Sequence, residues 1–350
     1  MERGSAMNIR EIEAPTARWW RPDADGRLLC YLCPRLCRIG EGQAGFCYIR
    51  RNEGGQLKSL AYAQPCALQI DPIEKKPLFH FYPGSRIFSM GTSGCNMGCK
   101  FCQNWEISKS REDQVRSVHL EPDEAVDAAV DRACPAIAFT YNEPTIWGEY
   151  VIDISREARR RRVRTVMVTN GYVTAEALPD IYENIDAANV DLKAFTEGFY
   201  QKLTLTHMEP VLETLVALST LGVWVEVTTL IIPTLNDDMG EIHQLARWIV
   251  EHLGPERPLH LTAFHPDFKL NHLPPTPHET LHEARRVAME AGLVHVYEGN
   301  VRCDEGATTW CPGCGRAVIL RDWHRVVENR LTDGACGCGR RIAGRFADSA

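Results

Sequence analysis

Gly94-Cys95-Asn96-Met97-Gly98-Cys99-Lys100-Phe101-Cys102-Gln103-Asn104-Trp105 follows directly on a strand-like run, Arg86–Met90. The stretch reads Cys-x3-Cys-x2-Cys with an aromatic residue just before the last cysteine. Three soft thiolates suit iron–sulfur ligation, whereas a four-iron cube takes four ligands. Three cysteines therefore leave one iron open, and an open coordination position is what separates a reactive metal site from a structural one. The alternative is a zinc knuckle completed by His80 or His119, but neither histidine lies close in sequence.

Outward from this loop, over residues 85–300, short β-branched runs alternate with amphipathic helical runs, the pattern of repeated βα units on a parallel sheet. The strand candidates are Arg86–Met90, Ala136–Tyr141, Val163–Thr169, Ala188–Leu192, Val223–Ile232, Leu259–Phe264 and Val294–Tyr297. Of the helical segments, Pro122–Ala133 opens with Pro-Asp-Glu as a first turn should, and Thr145–Arg161 is another. This predicts an α/β fold of six or seven βα units. No Gly-x-Gly-x-x-Gly follows the first strand, and polar residues gather where strand after strand ends. Such strand ends are where a βα barrel, complete or partial, assembles its site. Residues 1–84 and 301–350 each carry their own cysteine group. Segments this short seldom build a core unaided, so both read as small metal-stabilised modules.

The chain has 350 residues, 44% hydrophobic and 24% charged, which suits a full core and excludes a disordered, collagenous or coiled-coil chain. A formal charge of −7 disfavours holding nucleic acid by broad backbone neutralisation. Six arginines between Arg156 and Arg164 read as solvated cations at a helix C-terminus, an acidic or nucleic-acid partner being the sharper alternative. No run approaches the roughly 18 apolar residues of a membrane span, and Met1-Glu2-Arg3-Gly4-Ser5 lacks a signal-peptide character. The expectation is a soluble, cytoplasmic protein with no membrane partner.

Eleven of the fourteen cysteines fall into three groups: Cys30, Cys33, Cys37 and Cys47; Cys95, Cys99 and Cys102; Cys311, Cys314, Cys336 and Cys338. Their tight spacing is ligand geometry for zinc or iron–sulfur in a reducing compartment rather than a disulfide framework. The N-terminal quartet supplies enough thiolates for a closed zinc site or a second cluster. Cys311-Pro312-Gly313-Cys314 and Cys336-Gly337-Cys338 form two knuckles of a zinc-ribbon-like site, for which structural zinc is favoured over iron–sulfur. A site mixing cysteines from both ends is the remaining alternative. Cys66, Cys134 and Cys303 read as buried apolar side chains, Cys303 lying near both the barrel mouth and the C-terminal module.

On Cys95, Cys99 and Cys102, with Phe101 before the last and a strand-then-loop setting, the chain resembles the radical S-adenosylmethionine (SAM) enzymes. The resemblance implies a [4Fe-4S] cluster whose open iron chelates SAM's amino and carboxylate groups. It implies that cluster reduction cleaves SAM to methionine and a 5′-deoxyadenosyl radical, which abstracts a substrate hydrogen. It also implies a partial, TIM-like (β/α)6 barrel, flanked here by the two Cys-rich modules. Phe101, Asn142, Glu143, Asn170, Asp191, Lys193 and His265 carry over as cofactor-binding residues. Tyr141-Asn142-Glu143-Pro144 stands where the superfamily has a Gly-Gly-Glu-Pro-like stretch that receives SAM's amino group, a helix cap being the alternative. Asn170 ends the third strand. Asp191-Leu192-Lys193 resembles the Asp-x-Lys segment of glycyl-radical-enzyme activases, or is a solvated pair. Glu226 and Ile231–Asp237 resemble an activase stretch near the adenine, with Thr234 where glycine is usual. His265, in Phe264-His265-Pro266-Asp267-Phe268-Lys269, faces the cavity in this reading or caps a loop.

Asp71–Ser85, Gln103–Ser108 and Cys30-x-x-Cys33-Pro34-Arg35-x-Cys37 narrow the resemblance to the AmmeMemoRadiSam-system enzymes, relatives of the pyruvate formate-lyase activating enzymes. This implies hydrogen abstraction from a glycyl residue of a partner enzyme, Memo-like or AMMECR-like partners, and an electron donor such as flavodoxin or ferredoxin. Radical modification of a small molecule or RNA base stays open beside it, as does a different class, an iron–sulfur electron carrier or metal scaffold. The polar barrel lining speaks against a carrier. A wide lateral opening would suit a protein loop, and a closed polar pocket a small molecule.

Overall fold

The computed structural model describes residues 14–346. Eight strands form one sheet in sequence order: β1 (Ala67–Pro72), β2 (Arg86–Gly91), β3 (Ala136–Phe139), β4 (Arg164–Thr169), β5 (Ala187–Asp191), β6 (Trp224–Ile231), β7 (Leu259–Ala263) and β8 (Val296–Gly299). β1 runs antiparallel to β2, and β2 to β8 are parallel throughout. β1 and β8 are the two edges, so the sheet stays open. Seven parallel strands thus stand where the resemblance implies six, and β1 is an added antiparallel edge. Every residue of β3 and β7 is buried, as expected of parallel strands covered on both faces.

The covering helices are α1 (Pro122–Asp131), α2 (Gly148–Arg160), α3 (Glu209–Thr220), α4 (Met239–Leu253) and α5 (His278–Glu290). α1 starts at a capping box between Glu121 and Glu124 with Pro122 in its first turn, and the Asp238 side chain caps α4. α2 begins later than its sequence pattern suggests, because Pro144–Trp147 first winds a buried 3-10 turn. Its inner face then buries Tyr150, Val151, Ile154 and Ala158 at helical spacing. The arginines around its end are matched by carboxylates: Arg156 by Glu183, Arg161 by Asp127, Arg164 by Asp186.

The N-terminal segment shares the barrel's core. Trp20–Pro22, Leu28–Cys30 and Cys37–Ile39 form a small antiparallel sheet beside a hairpin of Arg50–Glu53 and Gln56–Ser59. Trp19, Leu28, Leu32, Ile49 and Leu57 pack into one cluster with the barrel residues. A buried ion pair seals the joint, Arg50 Nη1 lying 3.0 Å from the Glu149 carboxylate in the first turn of α2. Glu149 also accepts from the Arg18 backbone N–H at 2.6 Å. Removing one partner of such a pair costs about 3–5 kcal/mol, since the other charge is left buried.

The C-terminal segment has a small core of its own, built on Cys311, Val318, Ile319, Cys336 and Ile342. It closes the end of the sheet where the strands begin. Glu226, near the start of β6, accepts from the backbone N–H groups of Phe79 (2.9 Å) and His80 (2.8 Å) and from Trp224 Nε1 (3.0 Å), and meets His260 Nε2 at 2.7 Å. His80 reaches Tyr297 Oη at 2.5 Å and the Ala343 carbonyl at 2.6 Å. Arg321 donates to the carbonyls of Ala307 and Phe79. Glu226 therefore lies at the opposite end of its strand from the adenine position the resemblance suggests. Burial opposes its charge, but the hydrogen bond and charge of His260 hold its carboxyl at about 2.

Burial pulls His80 down to about 4 and the adjacent His295, with ring centroids 4.5 Å apart, down to about 2, from an ordinary 6.5. Both stay neutral in the folded chain while the unfolded chain takes up protons below pH 6.5, so stability falls as pH drops through that window. Each contributes a slope of about 1.4 kcal/mol per pH unit. His295→Leu is expected to show a shallower acid slope than the parent in chemical unfolding at pH 6 to about 4.5; an unchanged slope would refute this assignment.

Candidate active site

β2 runs into the cysteine loop, and the loop is tied down from several sides. Gly94 has φ +82°, a conformation open to glycine, and a Cβ there would fall on the Cys47 carbonyl oxygen. Its N–H donates to the Ile107 carbonyl at 2.8 Å. Gly98 N and Lys100 N donate to the carbonyls of Thr204 and Leu203. Lys109 Nζ reaches the Met97 carbonyl at 2.5 Å, and Arg35 donates to the carbonyls of Asn96 and Leu205. Asn96 Nδ2 donates to the Tyr172 carbonyl at 2.7 Å. Phe101 is buried against Phe199, with ring centroids 5.7 Å apart.

Cys95, Cys99 and Cys102 all line one cavity of about 250 Å³ at the C-terminal ends of the strands. Phe101, Asn142, Asn170, Asp191 and Lys193 line it as well. Asn142 is held by Thr92 N and the Gly94 carbonyl. Asn170 Nδ2 donates to Asn96 Oδ1 at 2.8 Å and lies 3.9 Å from Cys95 Sγ. Lys193 Nζ pairs with Asp191 Oδ2 at 2.6 Å. Burial works against its ammonium, yet Asp191 and the Cys99 sulfur hold its pKa above the usual lysine range. Burial pushes the Cys99 thiol up to about 11, against the pull of Lys193. Burial likewise raises Cys95, against the pull of Lys109.

Two sequence candidates are placed differently. The Glu143 carboxylate is fully buried beneath the cavity and committed to the chain itself, accepting from Thr145 N (2.9 Å), Thr169 Oγ1 (2.8 Å) and Asn170 N (2.7 Å). His265 is exposed and outside the cavity lining, its Nδ1 meeting only the Pro266 carbonyl at 3.3 Å. The lining also includes Asn189, Thr228, Thr262 and Asn300, which the sequence reading missed. Asn189 sits two residues before Asp191, and Thr228 two before Leu230, the strand period that turns both toward one face. That alternation was the available signal. Asn189 Oδ1 and Thr228 Oγ1 find no hydrogen-bond partner among the described residues, although both are buried. Three thiols and unsatisfied polar groups on one cavity wall fit an iron–sulfur cluster with a polar organic ligand beside it.

The flanking cysteines also cluster. Cys30 and Cys37 face each other in register across their hairpin, and Cys33 and Cys47 lie close enough to disfavour one another's charge. The four C-terminal sulfurs lie within 4.8 Å of one another, with Cys311–Cys338 at 3.6 Å and Cys314–Cys336 at 3.7 Å. The Arg340 N–H and the neighbouring sulfurs hold the Cys338 thiol down at about 7.

A family model described as the Radical SAM superfamily matches residues 90–249. An uncharacterized protein of Methanocaldococcus jannaschii is 46% identical over 297 residues, covering 85% of this chain and 88% of its own. The pyruvate formate-lyase 1-activating enzyme of Escherichia coli K12 is 22% identical over 226 residues, 60% of this chain and 91% of that enzyme. Among solved structures, Streptococcus suis SuiB bound to its precursor peptide SuiA has a TM-score of 0.50 at 13% identity, over 65% of this chain and 51% of that one. With parallel strands leading from a three-cysteine loop to a shared polar cavity, the chain belongs to the radical SAM superfamily, whose members use a [4Fe-4S] cluster and SAM, and is an enzyme of radical chemistry related to the pyruvate formate-lyase activating enzymes.

Proposed function

We propose that Cys95, Cys99 and Cys102 hold a [4Fe-4S] cluster and that SAM binds beside it against Phe101, Asn142, Asn170, Asp191 and Lys193, for hydrogen abstraction from a glycyl residue of a partner enzyme. The observation that carries this reading is the confinement of all three thiols to the wall of the one strand-end cavity that also holds the Asp191–Lys193 pair. When bound, these groups supply the one-electron chemistry of reductive SAM cleavage. The chain's own part is to position and tune. Lys193 sets a positive charge beside Cys99 and stabilises its thiolate, and Asn170 offers an N–H to the Cys95 sulfur. Asp191 and Lys193 hold each other's orientation and offer an acceptor and donors to a zwitterionic ligand. Glu143 acts as a positioning residue through Asn170.

A protein substrate is favoured by apolar side chains left exposed around the cysteine loop. Leu36, Phe46, Leu205 and Trp105 are 49%, 36%, 49% and 38% exposed. Arg35 gathers the first three there, stacking on Phe46 at 3.4 Å and donating to the Leu205 carbonyl. Such a rim suits docking of another polypeptide. The Asp71–Ser85 resemblance supports placement among the AmmeMemoRadiSam-system enzymes, with Memo-like or AMMECR-like partners and a flavodoxin- or ferredoxin-type donor. We assign structural zinc to Cys311, Cys314, Cys336 and Cys338, whose sulfur separations suit a single tetrahedral ion, and zinc or a second cluster to Cys30, Cys33, Cys37 and Cys47. Among the described residues no helix is long and apolar enough to cross a membrane. The many free thiols suit a reducing, cytoplasmic setting.

Anaerobically reconstituted protein given SAM and a strong reductant is expected to form 5′-deoxyadenosine, and Cys99→Ala to form none while keeping its far-ultraviolet circular dichroism. Cleavage retained by Cys99→Ala would refute the cluster assignment. Gly94→Ala forces a side chain onto the Cys47 carbonyl, so its iron content after reconstitution and desalting should fall at least twofold, and parent-like iron would show that the loop tolerates displacement.

A further inference from the structure

Away from the cavity and the three cysteine groups, a cluster of unlike ligand atoms lies between β8 and α5. The side chain of Glu298, on β8, is fully buried. Its Oε2 lies 2.9 Å from His278 Nε2 and its Oε1 3.2 Å from His282 Nδ1. The two histidines are four residues apart in the first turns of α5, hence on one helix face. Cys303 joins them from the following loop, and the ligand atoms of His278, Glu298 and Cys303 all lie within 4.8 Å of one another. Gly306 makes the room: a Cβ on it would come within 2.8–2.9 Å of the Glu298 side chain, and its N–H donates to Cys303 Sγ at 3.3 Å.

We propose that His278, His282, Glu298 and Cys303 form an additional metal site that takes a borderline divalent cation, Zn²⁺ foremost. Two imidazoles, a carboxylate and a thiolate are the donor types zinc prefers, and they number four. Bonds of about 2.0–2.3 Å in a tetrahedron separate donors by roughly 3.3–3.8 Å; His278, Glu298 and Cys303 already lie within 4.8 Å of one another, and His282, 3.2 Å from the other Glu298 oxygen, joins them by a side-chain rotation. The histidine side chains are 47% and 56% exposed, which leaves a path for a cation to enter, while the carboxylate beneath them is sealed. His278-Glu279-Thr280-Leu281-His282 also has the His-Glu-x-x-His spacing that sets two imidazoles on one ion. Four protein donors leave no open position, so the site is structural rather than hydrolytic. It would clamp the open edge of the sheet to α5. Asn300, two residues beyond Glu298, lines the catalytic cavity, so the clamp also fixes one wall of the active site.

The test is the zinc content of full-length, iron-reconstituted protein after dialysis with Zn²⁺ and then a weak chelator, read by mass spectrometry of the elements. His278→Gln/His282→Gln should carry one zinc per chain fewer than the parent with iron unchanged. Equal zinc in the two proteins overturns the proposal. Should the double variant not fold, Cys303→Ser decides: competition with a chromophoric chelator should show one Zn²⁺ site weakened by at least about tenfold, and Cys66→Ser none. Parent-like Zn²⁺ affinity at every site of Cys303→Ser also overturns it.

Discussion

The Glu143 carboxylate has no access to water, and three donors account for its presence. Thr145 N fixes the 3-10 turn that opens α2, while Thr169 Oγ1 and Asn170 N fix the end of β4. Burial raises its pKa and these donors oppose the rise. Withdrawing the carboxylate would strand three buried groups, each costing about 1–3 kcal/mol unpaired. Its influence travels further than its contacts. Asn170, oriented from below, holds Asn96, and Asn96 holds the Tyr172 carbonyl, so the cysteine loop after β2 is aimed through Asn170 by a carboxylate that follows the neighbouring β3. Such networks are worth more complete than as a sum of pairs.

At the other end of the sheet a second carboxylate plays a comparable part. Glu226 collects partners from the segment preceding β2, from Trp224 on its own strand and from His260 on the neighbouring β7, and Arg321 of the C-terminal segment lies over the same cluster. The ring of Phe79 lies against the Arg321 guanidinium at 4.1 Å. Together these groups fill the end where the strands begin, and chemistry is confined to the end where they finish. The Cys-rich C-terminal segment thereby serves as a floor to the barrel, at the end away from the cysteine loop.

Much of this is legible in the amino-acid sequence. The cysteine spacing, the strand-end polar residues and the βα alternation are local patterns, and local patterns survive in a sequence. What escaped depended on register or on tertiary partners. Glu226 was visibly on a strand, but which end of the strand it occupies relative to the cavity follows from where β6 pairs with its neighbours. Glu143 matched a ligand motif and its cap on Thr145 was the stated alternative, yet the other two donors that engage it come from the end of a strand 26 and 27 residues on. Ala67–Pro72 is short and bracketed by Pro65 and Pro72, it buries Asp71 while leaving Ile70 exposed, and it becomes a strand by pairing with β2. His278 and His282 stand at helical spacing in α5, and only Glu298 and Cys303, from elements beyond that helix, give the spacing a meaning. His265 shows the reverse: a suggestive imidazole at a strand end that folding leaves on the surface.

The close approach of Gly94 to the Cys47 carbonyl couples two parts of the chain that are distant in sequence. The loop that aims Cys95, Cys99 and Cys102 takes its shape against the backbone of the N-terminal cysteine quartet. A shift of the backbone at Cys47 would therefore press on the loop where it turns at Gly94. The N-terminal segment and the cysteine loop thus move as one mechanical unit, so a disturbance of either is transmitted directly to the other.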